Sequence, residues 1–181
     1  MKNKKYSPNV LIVDDQIDTL RTLEKAARDV FPKYYPNFKN QEIARAYNDA
    51  EDAISKKDYD FVLLDHRMPR EPMKWPDMLE KGGSLGDLNE EELEKYFQEE
   101  SRVSSSIEDI GYKLIPEIKG NNYETTVIGT SSAKNMSPDV PSPDYSINKI
   151  GFNNAVEGLE KILTKLREVK KWKKTTKETG L

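Results

Sequence analysis

The 181-residue sequence contains no cysteine and a single histidine, His66. Without cysteine there are no disulfides, no thiolate metal sites and no cysteine nucleophile. No apolar run approaches the ~18 residues of a membrane span. The basic N-terminus "MKNKKYSPNVLIVDD" carries an apolar run only from Val10 to Val13, too short for a signal-peptide core. A soluble, cytoplasmic setting is the expectation these absences leave. Hydrophobic residues make up 35% and charged residues 34% of the chain. That composition buries one modest core under a very polar surface and suits one domain with an insertion or a tail.

The net charge of −3 is unevenly spread. Between Asp77 and Asp109, eleven acids face only Lys81, Lys95 and Arg102. Between Lys161 and Lys177 the order reverses, with eight Lys/Arg against Glu168. A basic end can serve nucleic acid or membrane contact. No base-reading motif accompanies it, and cations at a helix C-terminus are favourable in themselves. No nucleic-acid or membrane role is therefore read from it.

Short apolar runs alternate with amphipathic stretches. Val10–Val13 and Phe61–Leu64 read as buried strands, and "TTVIGTSS" as another with Thr125–Ile128 as its body. Glu42–Tyr47 reads as a further strand with a weaker pattern, and "DYSINK" as a short fifth. "DDQIDTLRTLEKAARDVF" places Ile17, Leu20, Leu23, Ala27 and Val30 at helical spacing, with Pro32 as its stop. "DAEDAISKKD" reads as a short helix carrying Ala50, Ala53 and Ile54 on one side. The last helix carries Ala155, Leu159, Ile162, Leu163 and Leu166 as its apolar stripe. Strand–helix alternation implies a parallel sheet covered on both faces, with right-handed crossovers.

Residues 70–110 stand where one short loop would suffice. Their middle, "LNEEELEKYFQEES", is helical in pattern, with glutamates in its first turn and Leu88, Leu93, Tyr96 and Phe97 on one side. "KGGSLGD" reads as a turn and "SRVSSS" as a flexible joint. "IGYKLIPEIKG" resumes a helix that Pro116 limits or kinks. The apolar side of the insertion helix would either meet a partner, a homodimer among them, or fold back on its own domain.

Asp14 and Asp15 directly follow the first strand, and Asp65 follows the third. In open parallel α/β sheets ligands bind beyond the C-terminal strand ends, near the switch in strand order. If those strands are neighbours, the three carboxylates converge. Like charges so packed raise one another's pKa, and a hard divalent cation such as Mg²⁺ removes that penalty. Thr130 and Ser131 close the fourth strand and Lys149 the fifth. A hydroxyl and an ammonium beside a metal and a carboxylate can hold a phosphoryl group, with the carboxylate as nucleophile.

Taken together, "VLIVDDQ", "YDFVLLDHRMP", "TTVIGTSS" and "YSINK" resemble the receiver domain of two-component response regulators. The resemblance covers roughly residues 8–70 and 110–168. It implies one receiver domain over 8–168 with an insertion at 70–110 and a basic tail at 169–181. The implied fold is α/β and flavodoxin-like (CheY-like): a five-stranded parallel sheet of order 2-1-3-4-5. Asp65 then matches the phospho-accepting aspartate. Asp14 and Asp15 match the metal-binding pair, and the backbone carbonyl of Arg67 the third protein ligand. Ser131 matches the switch hydroxyl, with Thr130 the alternative, and Lys149 the phosphoryl-contacting lysine. Met68, Pro69 and Gly111 also match.

Three departures stand out. Ile150 follows Lys149 where the family has proline. Ser146 occupies the place of the usual switch aromatic, with Tyr145 one position earlier. The stretch 132–144 holds three prolines and no helical stripe, so the helix after the fourth strand is expected to be short or missing.

The resemblance implies phosphotransfer from a histidine kinase or phosphotransfer protein in a phosphorelay, and output to a downstream protein it does not name. Such a phosphoacceptor hydrolyses its own acyl phosphate rather than turning over an external substrate. Two other readings remain: a pseudo-receiver that binds partners without phosphorylation, and a Mg²⁺-dependent phosphohydrolase. His66, Tyr34, Tyr35 and Trp75 are read as packing residues.

Overall fold

Three of the short apolar runs form the middle of a parallel sheet, and two polar strands flank them. The computed structural model describes residues 6–130 and 139–179, with side chains to residue 169. The strands are β1 (Val10–Val13), β2 (Gln41–Ala44), β3 (Phe61–Leu64), β4 (Thr126–Gly129) and β5 (Tyr145–Ser146), in the spatial order β2-β1-β3-β4-β5. Every neighbouring pair is parallel. This is the expected flavodoxin-like 2-1-3-4-5 order.

The central strands are buried on both faces, which explains why they read as continuous apolar runs rather than alternating ones. Val10, Ile12, Phe61, Leu63 and Ile128 point to one face. There they meet α1 (Ile17–Tyr34) and the C-terminal helix α5 (Phe152–Thr179), whose stripe of Ala155, Leu159, Ile162 and Leu163 is buried as the spacing predicts. Leu11, Val13, Val62, Leu64 and Val127 point to the other. There they meet α2 (Tyr47–Lys56) and the short helix α4 (Ile115–Asn121).

Several boundaries differ from expectation. Pro32 does not stop α1 but sits in its last turn. Its missing N–H costs only the bond to Arg28, and Tyr35 N–H then closes the helix on Phe31 O at 2.8 Å. The second strand ends at Ala44 and Tyr47 already starts α2. "IGYKLIPEIKG" splits into a 3-10 turn, Gly111–Leu114, and α4, with Pro116 in the first turn of α4 where no N–H is needed. The expected short or missing helix after β4 falls partly at 131–138, outside the described residues.

The insertion has its own small core. Its main helix, α3 (Glu90–Ser104), starts on a capping box between Asn89 and Glu92. It runs through the "SRVSSS" start that reads as a joint, because Val103 lies seven residues after Tyr96 and both are buried on one side. Ile17 of α1, Met73, Leu79, Leu88, Tyr96 and Val103 form one cluster. The insertion therefore folds back on its own domain, with Phe97 left exposed. Arg21 donates to Leu79 O at 2.9 Å. Arg45 pairs with Glu80 at 2.9 Å and lies 4.6 Å from the Trp75 ring centroid. Both arginines tie the insertion to the sheet's β1–β2 side.

Candidate functional site

The parallel ladder sets the site. Val13, Leu64 and Gly129 lie at one level across β1, β3 and β4. The ladder continues one residue further: Asp65 N donates to Val13 O at 3.0 Å and Thr130 N to Leu64 O at 3.0 Å. Asp14, Asp65 and Thr130 thus share the next level. Side chains alternate along a strand, and Ile12, Leu63 and Ile128 two residues earlier all face the α1–α5 core. Asp14, Asp65 and Thr130 consequently emerge on that same face.

Lys149, three residues beyond β5, reaches across to this row. Its Nζ lies 2.7 Å from both Asp14 Oδ2 and Asp65 Oδ2. The remaining oxygens are also held: Gln16 N donates to Asp14 Oδ1 at 3.0 Å and His66 N to Asp65 Oδ1 at 2.8 Å. Asp14 and Asp65 are buried and Asp15 is half-buried. One oxygen from each of the three carboxylates lies within 4.8 Å of the others. A cavity of about 450 Å³ opens over them, lined by Asp15, Gln16, Asp65, Arg67 and Lys149, with Ile107 of the insertion on one side. The absence of proline after Lys149 does not misdirect the lysine.

Three carboxylates against one ammonium leave the site with excess buried negative charge. Burial pushes the Asp14 carboxyl up to about 7, more than Lys149's attraction lowers it, and the Asp65 charge adds to the rise. Burial likewise pushes Asp15 up to about 6. For Lys149, burial alone would lower the pKa, but the Asp14 and Asp65 charges outweigh it and the ammonium is held above its ordinary value. An all-oxygen donor set with unneutralised charge fits a hard divalent cation, with Asp14, Asp15 and Asp65 as the protein side of a Mg²⁺ site. Such an ion would supply positive charge that these residues lack.

This arrangement has a pH signature. Asp14 and Asp15 ordinarily titrate near 3.8, but folded they titrate near 7 and 6. The folded protein therefore holds protons that the unfolded chain releases. Their stabilising contribution is complete below about pH 4 and is lost as the pH rises through 6 and 7. Without Mg²⁺, the Tm is expected to fall by several degrees between about pH 5 and pH 8. Added Mg²⁺ should recover most of that loss at the upper pH and little at the lower. A thermal scan in which Mg²⁺ raises the Tm equally at both would contradict the assignment.

The other expected residues fall as follows. Arg67 opens a two-residue antiparallel ladder with Asp109, and its side chain lines the cavity. Thr130 is buried, and among the described residues its Oγ1 has no hydrogen-bond partner. Ser131 lies outside the described residues. Tyr145 pairs with Ile128 and packs into the α1–α5 core, with Lys165 Nζ 5.4 Å from its ring centroid. His66 is buried and packs against Tyr112 at 4.6 Å between ring centroids, so it packs as read from the sequence.

Two glycines explain why this packing is possible. A Cβ on Gly111 would lie 2.0 Å from Asp65 O, so only glycine lets the chain after the insertion close against the strand end. A Cβ on Gly129 would lie 2.2 Å from Tyr112 Oη, so Tyr112 occupies space that β4 leaves empty. Tyr112 is the contact that sequence reading missed. A glycine inside a β-branched run was its only signal.

No family model matches the chain, and no curated protein matches it. Among solved structures, a CheY-like response regulator receiver domain protein from Methanospirillum hungatei is similar. It is 18% identical, with 92% of this chain and 98% of that chain covered and a TM-score of 0.52. NtrX from Brucella abortus is 18% identical over 92% of this chain and 30% of that chain, with a TM-score of 0.48. The first likeness shows the fold: the chain has the CheY-like receiver fold, divergent in sequence and carrying an acidic trio at its sheet edge.

Proposed function

We propose that this chain is a receiver that takes a phosphoryl group onto Asp65 from a histidine kinase or phosphotransfer protein, with Mg²⁺, and signals through protein–protein contacts. The observation that carries this reading is Lys149 Nζ at 2.7 Å from both Asp14 and Asp65, inside a carboxylate trio that converges within 4.8 Å. An Asp65 oxygen attacks phosphorus as the nitrogen–phosphorus bond of the donor breaks, and the leaving imidazole takes up a proton. Asp14, Asp15 and the Arg67 carbonyl would hold the ion with Asp65, and its positive charge would offset the negative charge of the transferring group.

Lys149 then meets the new phosphoryl oxygens. Of the two candidate hydroxyls, Thr130 is favoured as the one drawn to the phosphoryl group. It shares Asp65's ladder level and face, and its oxygen is buried without a partner among the described residues. Up to about two negative charges arrive on Asp65, and the movement of Lys149 and Thr130 toward them biases the surface a partner meets.

Incubation with Mg²⁺ and a phosphoramidate is expected to add one acid-labile phosphoryl group to the intact mass. An unchanged mass would favour a binding module that works without phosphorylation. Turnover of an aryl phosphate would favour a hydrolase.

A further inference from the structure

Behind the phosphoryl-site cavity lies a second one, of about 340 Å³, between the start of α1 and the insertion. The two share Asp15, Gln16, Asp18 and Ile107 as a common wall. The floor of the second is apolar and aromatic, with Ile17, Met73, Trp75, Tyr96 and Val103. Its rim carries Asp15, Asp18 and Glu100, and among the described residues no lysine or arginine lines it. Asp15 already feels the charges of Lys149 and Arg67, whereas among the described residues Asp18 and Glu100 form no ion pair. Glu100 and Asp18 stand close enough to Tyr96 that, after burial, their charges help raise its hydroxyl pKa. An apolar groove with an unpaired acidic rim fits a segment that is basic and carries an apolar residue.

The chain itself contains such a segment. Residues 170–177, "KKWKKTTK", hold five lysines, one tryptophan and no acid. It belongs to α5, which starts beside Lys149 at Phe152 and runs 28 residues, about 42 Å. That length carries it away from the groove: Leu166 and Val169 already line a cavity with Tyr6, Asp60 and Phe61, at the opposite edge of the sheet. A chain's own segment therefore starts at the wrong end of the domain to fill its own groove.

We propose that the groove between α1 and α3 docks the lysine-rich end of α5 from a second copy of this chain, so that two copies exchange these segments reciprocally. Two-fold pairing closes on itself and leaves neither groove empty. The inference stands on the groove and its charge, independently of whether Asp65 is phosphorylated.

The test uses full-length chains and sedimentation in low salt. The wild type is expected to form a reversible dimer that weakens as salt is added. Asp18→Lys with Glu100→Lys should weaken it by at least about tenfold, and Lys171→Glu with Lys174→Glu should do the same. Mixing the two double variants restores both complementary contacts, so a heterodimer should form where neither variant dimerises alone. That recovery also shows that both variants are folded. A wild type that stays monomeric overturns the proposal, even if a free basic peptide binds. Variants that still self-associate, or a mixture that fails to pair, overturn it as well.

Discussion

Asp65→Asn is expected to abolish phosphoryl labelling, by at least a hundredfold, while the protein stays folded. The nucleophile must be an anionic oxygen, and an amide at position 65 offers none. The substitution is nearly isosteric, and the amide oxygen can still accept from His66 N, which now donates to Oδ1 at 2.8 Å. Removing one of three clustered carboxylates also relieves repulsion on Asp14, whose pKa the Asp65 charge helps raise. Against that relief, the amide NH2 takes the place of the Oδ2 that accepts from Lys149 Nζ at 2.7 Å, so one buried hydrogen bond is lost, and the apo variant should melt within about 5 °C of the wild type at about pH 8. Labelling is followed by intact mass under Mg²⁺ and phosphoramidate. Equal labelling of wild type and variant would move the acceptor elsewhere.

Lys149→Met is expected to act on two observables, with a different cause for each. The ammonium is buried, with 11% of the side chain exposed, and bonds two carboxylates that are buried in turn. Breaking a buried pair by removing one partner costs about 3–5 kcal/mol, because the remaining charges stay uncompensated. The apo Tm should drop by roughly 10 °C. Labelling should fall by about a hundredfold, as on loss of a donor to a developing anion. Mg²⁺ binding should survive, since all three carboxylates remain, and Mg²⁺ should stabilise this variant more than the wild type. Calorimetric titration separates the two effects. A variant that labels normally would show that Lys149 is only a structural counter-ion.

Much of this architecture is legible in the sequence, for a physical reason. Strands buried on both faces must be continuous apolar runs, so β1, β3 and β4 announce themselves. A carboxylate that follows such a run lies at the sheet's C-terminal edge. Asp14, Asp15 and Asp65 can therefore be placed together from the sequence alone. The convergence of Lys149 on two aspartates cannot be, because it depends on how the loop after β5 returns. The relation between Thr130 and Asp65 needs the ladder register, which spacing alone does not set. β2 lies off its expected position because a short polar edge strand such as "QEIA" carries little pattern. The insertion's helix is readable from its glutamates and apolar side. Its docking is not, because Arg21 and Arg45, which clamp it, lie far away in sequence.

The cavity over Asp65 and the groove beside the insertion share a wall, and Ile107 is part of it. A phosphodonor of the kind proposed, approaching Asp65, would therefore meet the insertion as well as the sheet edge.

Everything in the proposed mechanism depends on Asp65 becoming an acyl phosphate. Borohydride reduction of the Mg²⁺- and phosphoramidate-treated protein, followed by peptide mapping, reads this out at the residue itself. Reduction converts an aspartyl phosphate to homoserine, and that change is expected at position 65 and at no other aspartate. Reduction at Asp14 or Asp15, or at no residue at all, would contradict it.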